Sequence, residues 1–267
     1  MHPSLSPLSS ERTKCSKIVC VAILLSSWLT PSDADEQLEQ PIRALLVTGG
    51  CCHDYDTQKE IIQKGLADRL DITFDVVQGD ETKTDELDLY RNDDWASGYD
   101  VIIHNECYGG VVDKAFVSGI VKAHEKGVPA VFIHCSMHSY RKSPAVDQWR
   151  ELIGVTSVRH EGKRGLAVVP IAAEHPVMKG FPSTWSTPNG ELYVIDEIWP
   201  SCEVLATAYG YDTEREHPVV WTNTFNGTKV FGTTIGHHNE TMQTKVWLDL
   251  VSRGTAWVTD TPSNPGS

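Results

Sequence analysis

Histidines follow four of the apolar segments along this chain, and imidazole is the side chain best suited to acid–base or metal chemistry near neutral pH. Six of the 11 histidines occur in these places. The four segments are residues 49–55 (GGCCHDY), 104–110 (HNECYGG), 134–138 (HCSMH) and 236–238 (GHH). A single histidine is more often a satisfied core residue than a ligand, but four such coincidences indicate a functional site.

Two kinds of chemistry fit these residues. Imidazole and carboxylate together form either a general acid–base set or the ligand set of Zn²⁺ and similar divalent metals. We expect His134 and His237 to be the central catalytic pair, with Glu106 beside them. His53, His134 and His237 are also candidate metal ligands, although no HxH or HExxH motif is present. The sequence leaves both alternatives open.

The elements that must position these residues are strands and helices in alternation. Apolar runs at residues 44–47, 72–77, 101–104 and 130–133 predict buried strands, and helical patterns lie between them. This alternation is typical of right-handed βαβ units and a parallel sheet. Ligands of such sheets bind outside the carboxyl ends of the strands. The histidine segments would therefore meet at one edge.

The second half of the chain is richer in strands. We predict strands near residues 166–171, 192–195, 204–208, 219–222 and 229–235, with an Asn226-Gly227 hairpin turn before the last one. A closing helix is expected over residues 240–251. His237 reaches the other histidines only if the last strand runs parallel to the fourth.

Composition limits the environment and the partners. A net charge of −13 argues against nucleic acid and anionic membranes as partners. Of seven cysteines, five lie beyond residue 34, with no repeated CxxC motif. A bridge between the adjacent Cys51 and Cys52 would be strained. One bridge elsewhere is possible, and we do not expect disulfides to hold the fold together.

The N-terminus has the three parts of a secretory signal peptide. Basic residues precede a twelve-residue apolar run at 18–29, and Ser32-Asp33-Ala34 provides a cleavage site. Twelve residues are too few to cross a bilayer, which takes about 20. We therefore expect residues 1–34 to be removed and the mature protein to be exported, periplasmic or secreted, without a stable membrane span. A polar leader (35–43), one domain (44–258) and a disordered tail (259–267) follow.

Several motifs together resemble the ThuA-like (trehalose utilisation) family. They are GGCCHDY at 49–55, IHCSMHSYR at 133–141, QWRELIG at 148–154 and FGTTIGH at 231–237, and the similarity covers about residues 44–257. The resemblance implies an α/β fold of the flavodoxin-like, class I glutamine amidotransferase-like group. Such a fold has a mostly parallel sheet with helices on both faces. The family also implies a role in disaccharide use, especially in 3-keto-glycoside metabolism.

Comparison with the amidotransferase relatives excludes glutaminase activity. Their nucleophilic cysteine occupies a sharp turn where this chain has His134, and Cys135 lies one place later. A shift of one residue directs a side chain to the opposite face of a strand, so Cys135 is not expected to be a nucleophile. His237 matches the relatives' catalytic histidine, but Asn239 replaces their acidic residue.

The resulting hypothesis is an exported enzyme that acts on a glycoside or 3-keto sugar by histidine acid–base chemistry, with assistance from zinc or another divalent metal left open. The alternative is a sugar-binding or interaction module that kept the fold without the chemistry. Arg141 either holds a substrate oxygen or pairs with surface acids, and the oligomeric state is left open. The expected substrate-binding residues are His53, Tyr55, Tyr108, His138, Arg141 and Glu191.

Overall fold

The computed structural model describes residues 40–261, and these contain a large mixed sheet between two layers of helices. The expected signal peptide and most of the expected leader and tail lie outside the described residues. The strands are β1 (Ile42–Gly50), β2 (Ile72–Gln78), β3 (Val101–Cys107), β4 (Ala130–Ile133), β5 (Val155–His160), β6 (Ala167–Pro170), β7 (Trp185–Ser186), β8 (Tyr193–Ile198), β9 (Cys202–Gly210), β10 (Arg215–Phe225) and β11 (Thr228–Thr233). The helices are α1 (Tyr55–Ala67), α2 (Lys114–Glu125), α3 (Val146–Ile153), α4 (Asn239–Met242) and α5 (Lys245–Val258).

The nine-stranded sheet has the order β2-β1-β3-β4-β11-β10-β9-β6-β7. Its first five strands are mutually parallel, and the remaining four alternate in direction. The predicted parallel sheet and strand-rich second half are therefore confirmed. Strand β11 pairs parallel to β4 and antiparallel to β10, which answers the question that the hairpin left open. The carboxyl ends of β1, β3, β4 and β11 consequently open at the same edge.

Alternating side chains of the central strands supply two separate cores. Ala44 and Leu46 pack toward α1 and α5, while Leu45 and Val47 pack toward the layer that contains α2 and α3. Because strand residues point alternately to opposite faces, a strand covered by helices on both sides must be apolar throughout. This requirement explains the continuous burial of β1 beyond Arg43. The core therefore lies on both faces of the sheet.

Residues 240–251 do not form the single closing helix that we predicted. The short α4 ends at Met242, and Thr244 caps a new helix by accepting a hydrogen bond from the Trp247 amide at 3.3 Å. A threonine at this position satisfies an amide that a helix start leaves without a partner. Helix α5 then continues to Val258, beyond the predicted end.

Strands β5 and β8 form a separate antiparallel pair that the sequence only partly indicated. Strand β8 was predicted over residues 192–195, whereas β5 was not predicted. The pair carries Tyr193, whose ring lies against that of His134 with 4.5 Å between centroids. Among the described residues, no helix is both long and apolar enough to cross a membrane.

Helix α5 provides a test of the packing. A methyl group at Gly254 would overlap the buried ring of Phe231 on β11. We expect Gly254→Ala to lower the free energy of unfolding by about 1–3 kcal/mol, as overpacking does. Gly119→Ala in α2 is the matched control, because its nearest atom, the Tyr90 carbonyl oxygen, would be 4.0 Å away. Urea unfolding of both variants measures the difference, and equal stabilities would contradict this packing.

Candidate functional site

Three histidines and one glutamate converge at the carboxyl edge of the sheet. They are His53 after β1, His134 after β4, His237 after β11, and Glu191 just before β8. One ligand atom from each residue lies within 4.8 Å of all the others. The nitrogen Nδ1 of His237 is 3.0 Å from His53 Nε2 and 3.1 Å from His134 Nε2. The structure therefore brings together the three rings named from the sequence.

Glu191 completes this cluster from the opposite side. Its Oε2 lies 3.3 Å from His237 Nδ1 and 3.5 Å from His134 Nε2. Glu191 was expected among the substrate-binding residues. Its closeness to these ring nitrogens makes it a fourth potential metal ligand.

The local backbone explains how His134 reaches the cluster. Strand β4 ends at Ile133, and His134 adopts a φ of +43° at the start of a 3₁₀ turn that runs to His138. This left-handed conformation is uncommon for a residue with a side chain. It makes the sharp turn that the family resemblance implied, with His134 at its apex.

Hydrogen bonds on the far side of the His134 and His53 rings determine which of their nitrogens faces the cluster. The Nδ1–H of His134 donates to the Thr234 carbonyl oxygen at 2.6 Å, which leaves Nε2 as an acceptor in the neutral ring. Tyr55 donates its hydroxyl proton to the Cys51 carbonyl oxygen and accepts from His53 Nδ1 at 3.2 Å. His53 Nε2 is then also an acceptor. Such outer contacts are typical of metal-binding histidines.

The pKa values agree with uncharged rings beside a charged carboxylate. Burial, together with the nearby rings of His134 and His237, lowers the pKa of His53 to about 2. Burial also lowers the pKa of His134. For Glu191, burial alone would raise the pKa, but hydrogen bonds with His134 and His237 hold it well below its usual range.

The distances suit a bound cation. Zn²⁺ binds histidine nitrogen at about 2.0–2.1 Å, so neighbouring ligands of a tetrahedral shell are ~3.3 Å apart. Four of the six separations, 3.0, 3.1, 3.3 and 3.5 Å, bracket this value, and the other two are no longer than 4.8 Å. The alternative to a cation is a proton on Nδ1 of His237. One proton cannot form full hydrogen bonds with all three surrounding acceptors, which belong to His53, His134 and Glu191. A His₃Glu set therefore fits a divalent cation.

His160 on β5 connects the cluster to solvent. Its Nδ1 lies 3.2 Å from Glu191 Oε1 and 2.9 Å from the Glu161 carbonyl oxygen, while 46% of its side chain is exposed. The carboxylate of Glu191 thus faces the cluster with one oxygen and His160 with the other. This arrangement leaves Nε2 of His160 available to a ligand.

An open cleft of about 150 Å³ lies beside His53 at the ends of β1 and β2. Backbone of Gly49, Gly50 and Gly79 forms part of its wall. Its polar lining consists of His53, Asp54, Tyr55, Asp56, Gln78 and Glu81. Carboxylates and amides of this kind can accept hydrogen bonds from the hydroxyl groups of a ligand.

Glu106 is not at the edge of this site, and its predicted position is wrong. Side chains alternate along a strand, so Glu106 lies with His104 on the face of β3 that packs toward α2. It is fully buried, and its Oε1 lies 2.8 Å from His104 Nδ1 and accepts from the Tyr90 hydroxyl at 3.1 Å. The predicted strand covers residues 101–104, whereas β3 continues to Cys107.

The other expected substrate-binding residues are distributed around the cluster. Tyr108 is fully buried beneath Gly49 and Gly79, so it presents no free ring face to a sugar. His138 is buried behind the cluster, where it stacks on Tyr193 and contacts the Ser157 hydroxyl at 3.0 Å. Tyr55 lines the cleft but uses its hydroxyl to orient His53. Arg141 is exposed beside Gly109.

Cys135 is bonded to Cys107, and Cys51 is bonded to Cys52. Cys135 is therefore not a free thiol, which agrees with the expectation that it is no nucleophile. The number of bridges differs from our expectation of at most one. The buried bridge joins the end of β3 to the turn after its neighbour β4, and linear spacing alone does not reveal this pairing.

The buried network around Glu106 leads to a pH prediction. Burial and the adjacent His104 ring lower the pKa of His124 to about 3. In the unfolded chain this ring titrates near 6.5, so acid protonates the unfolded state first. The stability that the folded protein gains from a neutral His124 ring is fully present above pH 6.5 and is lost as the pH falls toward 3. Below pH 6, we expect His124 to lower the free energy of unfolding by about 1 kcal/mol for each pH unit of acidification.

The variant His124→Asn removes this titrating ring but keeps an amide donor for the Val128 carbonyl oxygen. Urea unfolding of both proteins at pH 7.5 and 5.5 measures the effect. The stability of the variant is expected to fall less on acidification than that of the unmodified protein. The same loss in both proteins would contradict the buried neutral state of His124.

Comparisons with known proteins agree with this architecture. The family model described as "ThuA: Trehalose utilisation" matches residues 43–258. A ThuA-like protein from Parabacteroides merdae has 21% identity and a TM-score of 0.67, with 82% of this chain and 90% of that chain covered. A second, from Bacteroides uniformis, has 17% identity and a TM-score of 0.61, with 82% and 92% covered.

A Thermoplasma acidophilum protein described as part of a GMP synthase has the same fold, with 11% identity, a TM-score of 0.53, and 82% and 95% of the two chains covered. No curated protein shows significant sequence similarity to the chain. The family match spans most of the chain and includes all four residues of the cluster. The chain belongs to the ThuA (trehalose utilisation) family, and its role is carbohydrate-related in the broad sense.

Proposed function

We propose that this protein is a metal-dependent enzyme that acts on a glycoside or 3-keto sugar. The observation that carries the proposal is the convergence of His53, His134, His237 and Glu191 on one point. Three imidazole rings and a carboxylate provide borderline-soft nitrogen ligands together with one negative charge. Zn²⁺ accepts this combination.

A divalent ion held by these four residues would have to accept a substrate oxygen as a fifth ligand, and it would then polarise that carbonyl or hydroxyl group. The protein contributes the rest of the chemistry. His160 Nε2 removes the proton from a carbon next to the keto group, because that C–H bond is acidified by the neighbouring carbonyl. Glu191 stabilises the resulting imidazolium through the 3.2 Å contact between its Oε1 and His160 Nδ1. Such a proton transfer supports either isomerisation or elimination of the glycosidic oxygen.

The cleft beside His53 is the site proposed for the sugar. Its carboxylates and Gln78 match the many hydroxyl groups of a carbohydrate, and its glycine backbone permits close approach. In this proposal His134 and His237 hold the metal. An acid–base pair without metal is the second possibility for the same two residues.

Substitution of the ligands separates these two possibilities. We expect His134→Ala and His237→Ala each to lose both the bound metal and turnover of a 3-keto-glycoside. His160→Gln is expected to keep the metal and to lower kcat by about 10²–10⁴, the usual contribution of a general base. His175→Gln, beside Trp257 on another part of the surface, is the control and should change neither quantity.

Elemental analysis and a 3-keto-glycoside assay measure these effects. Unchanged metal content in both alanine variants, or full turnover by metal-depleted protein, would contradict the metal-dependent mechanism. Metal binding without turnover of any glycoside or 3-keto sugar would instead support the binding-module alternative.

Export is part of the proposal and rests on residues 1–34 of the sequence. N-terminal sequencing of the mature protein should find Asp35 at or near the start, because the only small-residue cleavage site follows the apolar run there. Recovery of the protein from the cytosol with Met1 in place would contradict export.

A further inference from the structure

Four cysteines lie together at the edge of the sheet that also holds the histidine cluster. Cys51 and Cys52 follow β1, Cys107 ends β3, and Cys135 lies in the turn after β4. Each belongs to one of two disulfides, Cys51–Cys52 or Cys107–Cys135. Cys202 is the free cysteine among the described residues.

The two disulfides are close enough for a thiolate released from one of them to attack the other. The Sγ atoms of Cys51 and Cys107 are 4.0 Å apart. The backbone enforces this approach, because the Cys51 amide donates to the Cys107 carbonyl oxygen at 3.3 Å. Gly50 permits it, since a side chain there would overlap that carbonyl group.

Access to solvent differs between the two bridges. Cys52 is exposed and Cys51 is partly buried, whereas Cys107 and Cys135 are 4% and 7% exposed. The buried bridge packs against Tyr55 and Cys51. An external reductant therefore meets the Cys51–Cys52 bridge first, since thiol–disulfide exchange depends on access to the sulfur.

We propose that these two disulfides form an exchange relay that carries two electrons from an external dithiol to the buried Cys107–Cys135 bridge. The proposal concerns sulfur chemistry and stands independently of the metal and sugar assignments. Cys52 has a φ of +87°, a conformation that residues with side chains rarely adopt. Opening the surface bridge frees this residue to relax, which favours the first step.

The dithiol reduces Cys51–Cys52 to two thiols and becomes a disulfide. Cys51 loses its proton and its sulfur attacks Cys107, so that the Cys107–Cys135 bond breaks and Cys135 leaves as a thiolate that takes up a proton. Cys52 likewise loses its proton and attacks Cys51, which re-forms Cys51–Cys52 and releases Cys107 as a thiol. The net result is an oxidised external dithiol and a reduced Cys107–Cys135 pair.

The relay has a consequence for the neighbouring histidines. Cys52 directly precedes His53, and Cys135 directly follows His134. Two of the four cluster residues are thus joined by one peptide bond to a redox-active sulfur residue. Reduction at either bridge changes the restraint on the adjoining histidine.

A trapping experiment tests the central step. In Cys52→Ser the surface bridge cannot form, and the Cys51 thiol remains 4.0 Å from Cys107 in the present arrangement. We expect peptide mapping under non-reducing conditions to find a Cys51–Cys107 bridge, with Cys135 released as a free thiol. Cys202→Ser is the control and should retain both original bridges. Exclusive retention of Cys107–Cys135 in Cys52→Ser would overturn the relay.

A second measurement compares reduction rates in the full chain. The unmodified protein and the double variant Cys51→Ser/Cys52→Ser are treated with dithiothreitol, sampled over time, alkylated and mapped by mass spectrometry. Reduced Cys107 and Cys135 are expected to appear more slowly in the double variant, because it has no surface bridge to accept the electrons first. Equal or faster reduction of Cys107–Cys135 in the double variant would overturn the proposal.

Discussion

The site depends on the mutual repulsion of the lone pairs on ring nitrogens and a carboxylate oxygen that the fold holds close together. His53, His134 and His237 each direct a ring nitrogen at one point, and an oxygen of Glu191 joins them. In a buried place, acceptors that face each other without a cation or proton are costly, because water cannot solvate them fully. The arrangement is relieved when one positive charge occupies the centre. A metal ion supplies that charge together with four bonds.

Hydrogen bonds on the side of the ring away from the cluster hold two of these groups in place. The Thr234 carbonyl oxygen fixes the His134 ring, and the Tyr55 hydroxyl fixes the His53 ring. Thr234 directly follows β11, which lies parallel to and beside β4. The same pairing therefore brings His237 to the cluster and supplies the carbonyl that orients His134. The positioning of the site is a property of strand order rather than of any local motif.

Much of this could be predicted from the sequence because parallel sheets have a simple rule. Apolar runs that end in histidine segments implied that His53, His134 and His237 share one edge, and the strand order places them there. Glu191 was named from its type, but its position beside the three rings does not follow from the pattern of strands. Glu191 lies in the loop before β8, and β8 belongs to the small two-stranded sheet. No periodicity in the sequence indicates where that sheet packs against the main one.

Two features were hidden from the sequence for different physical reasons. The direction of the Glu106 side chain depends on where β3 ends, and an error of one or two residues in a strand end changes the face or the surroundings of a side chain. The Cys107–Cys135 pairing depends on the register between β3 and β4, which brings the end of β3 beside the turn that holds Cys135. Register arises from the packing of the whole sheet, and the spacing of cysteines along the chain does not encode it.

The central claim is that the four acceptors hold one divalent cation. X-ray absorption spectroscopy of protein loaded with one equivalent of Zn²⁺ tests it most directly. The account predicts a shell of nitrogen and oxygen ligands at about 2.0–2.1 Å, with outer-shell scattering from three imidazole rings. A spectrum of hydrated zinc, or one with fewer than two imidazoles, would contradict it.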